Sequence, residues 1–174
     1  MDRRAWSDEE MILSLDLYYK LPFGRLNQHT PEVRELASLI ERTPSSVALR
    51  LVNYAACDPY IVNSGRRGMV SGIGKCKPFW DHYADNTEEL FLQAENIRAS
   101  LLAKPVEEIL QLNSTDFIGQ EKEAVIKQRI NQNAFRAVNL ANYNEQSAIS
   151  GICIPQLLIA SHIVPWSDDA NNRL

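Results

Sequence analysis

The stretch Thr43-Pro44-Ser45-Ser46-Val47-Ala48-Leu49-Arg50-Leu51-Val52-Asn53-Tyr54-Ala55 sets the character of the chain. Thr43 is a capping residue. Pro44 stands at the first helical position, where its missing amide proton costs nothing. Val47, Ala48, Leu51, Val52 and Ala55 then recur along one helix face, and Asp58-Pro59 follows the end. The same start signal lies upstream, where Thr30-Pro31-Glu32 opens a helix with Val33, Leu36, Ala37 and Ile40 as its buried stripe. Farther back, Ser7-Asp8-Glu9-Glu10 is a capping box, in which the Ser7 hydroxyl accepts from the third amide and Glu10 reaches back to the Ser7 amide. Met11, Ile12, Leu15 and Tyr18 or Tyr19 follow at helical spacing, and Pro22 and Gly24 close that helix.

Three helices within residues 1–60, with only Glu41-Arg42-Thr43 between the last two, predict a helix-turn-helix-like DNA-binding domain. The third helix is then the recognition helix, with Ser45, Ser46 and Arg50 facing outward. A small helical bundle that binds protein or supports its neighbour fits the same triplet.

Residues 61–84 read as a connector rich in glycine and cations. Gly65, Gly68, Gly72 and Gly74 fall close together, with Arg66, Arg67, Lys75 and Lys77 among them. Glycine gives the backbone freedom, and the four cations suit a phosphate backbone. A solvated surface loop has the same composition. Phe79, Trp80 and Tyr83 dock the end of this segment on a core, and His82 lacks a neighbour at metal-ligand spacing.

Residues 85–134 read as helical. Thr87 caps a helix with Glu88 and Glu89 in its first turn, as the helix dipole prefers, and with an apolar face from Leu90 to Leu102. Pro105 restarts a short helix. A further helix runs from Glu121 to about Gln132, and Asn131 to Asn133 mark a bend before Phe135 to Tyr143. In residues 135–174, the apolar pieces Ala148 to Ile152 and Leu157 to Ile163, split by a Cys-Ile-Pro-Gln turn, predict a β-hairpin. His162 falls at the end of its second strand, where an imidazole can face a cleft.

The composition sets outer limits. The chain has 174 residues, 45% of them hydrophobic, and a net charge of −4, which excludes a disordered chain. No apolar run approaches the roughly 20 residues of a membrane helix, and the N-terminus has no apolar stretch of signal-peptide type. Cys57, Cys76 and Cys153 are too scattered for a disulfide framework, so they read as reduced thiols of a cytoplasmic protein. The mild acidity argues against a wholly basic nucleic-acid binder and leaves room for a local basic patch.

The C-terminal run carries a resemblance. Phe135, Arg136 and Tyr143, then Ile149-Ser150-Gly151, then Leu157-Leu158-Ile159-Ala160-Ser161-His162-Ile163-Val164-Pro165-Trp166 resemble bacterial HNH endonucleases of restriction-enzyme type, with Arg129 and Gln132 also suiting the pattern. The stretch from Trp6 through Leu21-Pro22-Phe23-Gly24 to Arg42-Thr43-Pro44-Ser45-Ser46-Val47-Ala48 is similar to the helical domain that often precedes such nucleases. The resemblance implies an α+β protein that is mainly helical, ending in part of a ββα-metal (HNH) fold. It implies a metal-dependent DNA endonuclease of restriction or phage defence. His162 is then the general base that takes a proton from the attacking water, an imidazole's pKa lying near working pH. A divalent ion (Mg²⁺, Mn²⁺ or Zn²⁺) stabilises the charge developing at the phosphate. Double-stranded DNA is the partner, contacted by Arg136 together with Ser45, Ser46, Arg50, Arg66, Arg67, Lys75 and Lys77. A homodimer is the simplest way to cut both strands.

The sequence departs from that pattern in three places. Ser161 stands where many relatives carry a metal-ligating Asp, and Ser147 where they often have Cys. The Asn and second His or Asn that follow the base in the family are expected beyond Leu174, because Asn171 and Asn172 come too early. The expectation is therefore an incomplete HNH domain that does not bind the ion itself, an inactive fragment of an active parent, with Ile149, Ile152 and Leu158 poorly covered. The alternative is a non-catalytic DNA-binding regulatory protein that keeps a remnant of the nuclease fold.

Overall fold

Helix α1 (Asp8–Lys20) forms the axis of the structure. Every residue from Glu10 to Tyr18 is buried, as expected of a helix enclosed on all sides rather than lying on a surface. The computed structural model describes residues 4–112 and 119–161. Around α1 pack α2 (Pro31–Leu39), α3 (Pro44–Ala55), α5 (Ile73–Tyr83), α6 (Thr87–Leu102) and α8 (Gln120–Asn142). The short helices α4 (Pro59–Asn63) and α7 (Val106–Ile109) join them. The structure is thus mainly helical. Its hydrophobic core is shared from Met11 to Ala134, across the divisions of sequence character at residues 60 and 84.

Local chemistry starts these helices where the sequence predicts. The Ser7 capping box is complete: Ser7 Oγ accepts from the Glu10 amide, and Glu10 Oε2 accepts from the Ser7 amide at 2.9 Å. Thr43 Oγ1 accepts from the Ser46 amide at the start of α3. Thr30 precedes α2, but its hydroxyl donates to the Arg25 carbonyl at 2.6 Å and fixes the preceding turn instead. Asn86, one residue before the expected Thr87, caps α6.

A helix buried on all sides must satisfy its polar residues from its neighbours. Glu10 accepts from Arg42 Nη2 at 2.7 Å and from Arg4 Nη2 at 2.5 Å. Burial by itself would raise the Glu10 carboxyl, but the Arg42 and Ser7 hydrogen bonds and both guanidinium charges bring it below its ordinary value. Asp16 is fully buried and held by Lys20 and Arg98, each at 2.6 Å. Its burial is likewise outweighed by the two cations, so its carboxyl also lies low. Ser14 Oγ donates to the Glu10 carbonyl.

The structure corrects three expectations. The connector over 61–84 is largely helical, with α4 at its start, a 3-10 turn at Val70–Gly72 and α5 after it. Two of its four glycines, Gly68 and Gly72, serve close approach. A Cβ on Gly68 would lie 2.2 Å from the Ala56 backbone nitrogen, and one on Gly72 would lie 2.2 Å from Asn53 Oδ1. The segment is pressed onto α3, where Met69 donates to the Val52 carbonyl and Asn53 Nδ2 donates to the Met69 carbonyl. The expected bend at Asn131 to Asn133 lies within a single helix, α8, with Asn131 itself buried. Finally, no strand occurs among the described residues, so the predicted hairpin is not formed there. Residues 147–152 make a turn closed by Ser147 N to Ile152 O, and Pro155–Leu157 is a 3-10 turn. The α+β class is thus not borne out among the described residues. Ile149 is fully exposed and Ile152 about half so, as expected for apolar residues without a covering element.

Candidate functional site

The end of α1 places two adjacent tyrosines where α4, α6 and α8 converge. Tyr19 stacks on Trp80 of α5, with ring centroids 5.6 Å apart and an interplanar angle of 15°. Tyr18 meets Trp80 edge-on. Its hydroxyl donates to Asp58 Oδ2 at 2.7 Å, while Asp58 Oδ1 accepts from the Tyr60 amide and so caps α4. Burial, and after it the Asp58 hydrogen bond and charge, push the Tyr18 phenol far above its ordinary value, so it remains a donor. Burial and the Asp58 and Asp85 charges raise Tyr19 as well.

Above this floor lies an open cleft of about 800 Å³. Tyr60 and Arg66 stand at one wall, and Phe135, Asn139, Asn142 and Tyr143 of α8 and its cap form the other. The Arg66 guanidinium is 5.5 Å from the Phe23 ring centroid. Arg25, outside the cleft lining, ties α2 to the segment that follows α8. It donates to both carboxylate oxygens of Glu32 at 2.8 Å and pairs with Glu145 just beyond α8. Tyr60 and Tyr143 are 71% and 56% exposed, and they give the cleft flat, accessible sides.

The residues singled out for DNA contact are dispersed. Arg50, expected to face outward, is buried. Its guanidinium carbon lies 4.6 Å from the Trp6 ring centroid, and Nη1 donates to Cys76 Sγ at 3.5 Å. A guanidinium is polar in a sequence pattern, yet its flat face stacks on an aromatic ring. The rest of α3 is largely enclosed as well, with Ser45 and Leu49 as its exposed residues and Pro44, Ser46 and Val52 half-buried. The helix expected to read DNA therefore presents little polar surface. Arg66, Arg67, Lys75 and Lys77 are all exposed. Lys77 pairs with Asp81 at 2.9 Å, whereas Arg67 and Lys75 have no ion pair among the described residues. Lys75 and Lys77 stand on α5, to either side of the buried Cys76.

Arg136 lies on the exposed side of α8. Its Nη2 donates to the Pro155 carbonyl at 2.7 Å and to the Leu158 carbonyl at 3.3 Å. It organises the segment that leads to His162 instead of standing open to a phosphate. His162 itself lies outside the described residues. Among the described residues no group of three His, Cys, Asp or Glu is placed to hold a metal ion, and no helix is long and apolar enough to cross a membrane. The described residues thus do not supply the site of the divalent ion that the resemblance implies.

The cleft was not legible in the sequence as a unit. Its lining comes from residues 18–23, 58–66, 84–91 and 135–144, and only Tyr60 and Arg66 carry a local signal, a ring six residues ahead of an arginine pair. Comparisons with family models, curated proteins and solved structures gave no match.

Proposed function

We propose that the chain belongs to a DNA endonuclease of HNH type, in which the helical body holds DNA and His162 removes a proton from the water that attacks the phosphodiester. The observation that carries this reading is the run Ala160-Ser161-His162-Ile163-Val164-Pro165-Trp166, preceded by Arg136 on α8. The Arg136 hydrogen bonds to the carbonyls of Pro155 and Leu158 support it, because they tie the approach to His162 onto a long helix. A base on a fixed approach loses less of its effectiveness to misplacement.

Arg66, Arg67 and Lys75 are the phosphate contacts under this reading. Their exposure supports it, since an accessible cation can neutralise a phosphate and release the counterions condensed on the DNA. Ser45 remains an accessible polar contact at the start of α3, and Lys77 a weaker one because Asp81 competes for it. Plasmid nicking by the longest product of the reading frame, with and without His162→Ala, tests the proposal.

A further inference from the structure

We propose that the cleft between the end of α1, α4 and α8 receives one unstacked nucleotide of a DNA strand, its amino-bearing base inside and its phosphate toward Arg66. The inference rests on the DNA reading above and names what this cleft takes.

Three features point to that ligand. First, seven of the chain's eleven Tyr and Phe residues line the cleft. Tyr18 and Phe91 are buried in its floor, and Tyr60 and Tyr143 offer exposed rings at its sides, which suits a flat, π-rich guest, because bases stack on aromatic faces whatever their sequence. Second, the polar groups are split by sign. Arg66 is exposed at one wall, while the Asp58 carboxylate lies among the lining residues. A simple anion is disfavoured by the Asp58 charge, and a purely apolar guest would desolvate that charge without adding a donor to it. A nucleotide matches both, with phosphate to the guanidinium and an exocyclic amine to the carboxylate. Each Asp58 oxygen already accepts one protein hydrogen bond and has a second lone pair to offer. Third, a volume of about 800 Å³ lies within the range of roughly 300–1,000 Å³ typical of sites for one small molecule, and it is too small for a folded partner.

Extruding a base is easiest where it has no pairing partner. The test is fluorescence anisotropy of the 174-residue protein with short labelled duplexes that are fully paired, or that carry one unpaired cytosine or one unpaired thymine opposite an abasic site. The expected result is about tenfold tighter binding to the cytosine duplex than to the paired one, with thymine, which has no amino group, in between. Tyr60→Ala and Tyr143→Ala, both at exposed rings, should each erase most of that difference while the helical circular dichroism stays unchanged. Equal binding to all three duplexes, unaffected by either substitution, would overturn the cleft proposal and leave the DNA reading standing. A cytosine preference that survives both substitutions would also overturn it, since the base would then sit elsewhere. Absence of binding to every duplex would remove the DNA reading and this proposal together.

Discussion

Arg136 on α8 donates to the Pro155 carbonyl at 2.7 Å and thereby fastens the segment ahead of His162 to the longest helix. The same nitrogen reaches the Leu158 carbonyl, so one side chain spans both ends of the Pro155–Leu157 turn. Around this turn Ile154, Leu157 and Ile159 are exposed, and little apolar packing substitutes for the guanidinium.

Arg136→Ala should therefore loosen this segment while sparing the core. Amide exchange at Leu157 and Leu158, which donate to the Ile154 and Pro155 carbonyls, should quicken about tenfold, the loss of roughly 1.5 kcal/mol of charge-assisted hydrogen bonding. The global melting temperature should change little. Unchanged exchange at these amides would show that the segment is held by something else.

The Arg42–Glu10 pair is a stability element with a defined pH signature. Glu10→Gln leaves the nearly buried Arg42 without its carboxylate and should cost about 3 kcal/mol, read by urea unfolding. In the folded protein the carboxyls of Glu10 and Asp16 lie below their ordinary values of 4.5 and 3.8. The unfolded chain thus binds more protons over that interval, and stability rises with pH through it. The contribution is complete above about 4.5 and is lost as the pH falls through the lower, folded values. Glu10→Gln should flatten this acid limb, and an acid limb identical to that of the parent would contradict the assignment.

Gly68 and Gly74 separate close approach from chain freedom. Gly68→Ala forces a Cβ against the Ala56 backbone, which cannot move without shifting α3. It should destabilise by about 2 kcal/mol or more. Gly74 lies in α5 with nothing within 4 Å of its Cβ position. Gly74→Ala should instead stabilise by about 0.5–1 kcal/mol. Thermal melts of the two variants should move in opposite directions.

The thiols should fall into two classes. Burial pushes Cys57 up to about 11 and also raises Cys76, for which Arg50 only partly compensates. Cys153 is exposed. At mildly alkaline pH a disulfide reagent should titrate one thiol rapidly and the other two far more slowly, the half-buried Cys57 ahead of the buried Cys76, and Cys153→Ser should remove the rapid phase. Three rapid thiols would mean that α3 and α5 are not packed as described.

What the sequence revealed followed the range of the interactions involved. The Ser7 box and the Thr43 cap were readable because three or four neighbouring residues decide them. Helix α5 reads as connector because Gly72, Gly74 and the cations around them lack an apolar helical pattern, and the burial of Cys76, Trp80 and Tyr83 outweighs that. Arg50 was misplaced for a related reason, since only the fold brings Trp6 and Cys76 to it. The short apolar pieces Ala148 to Ile152 and Leu157 to Ile163 read as strands, but without a pairing partner among the described residues a short apolar run alone makes no sheet. The cleft joins four separate stretches, and no single window contained it.

The measurement that bears most directly on the endonuclease reading is plasmid nicking by the longest product of the reading frame, in Mg²⁺ or Mn²⁺, beside its His162→Ala variant. The expected result is nicking by the parent protein and a loss of at least about a hundredfold in the variant, the scale of a missing general base, with DNA affinity retained. A parent that binds DNA with a steep salt dependence yet never nicks it, or a variant that nicks as well as the parent, would contradict the assignment of His162 as the base of an endonuclease.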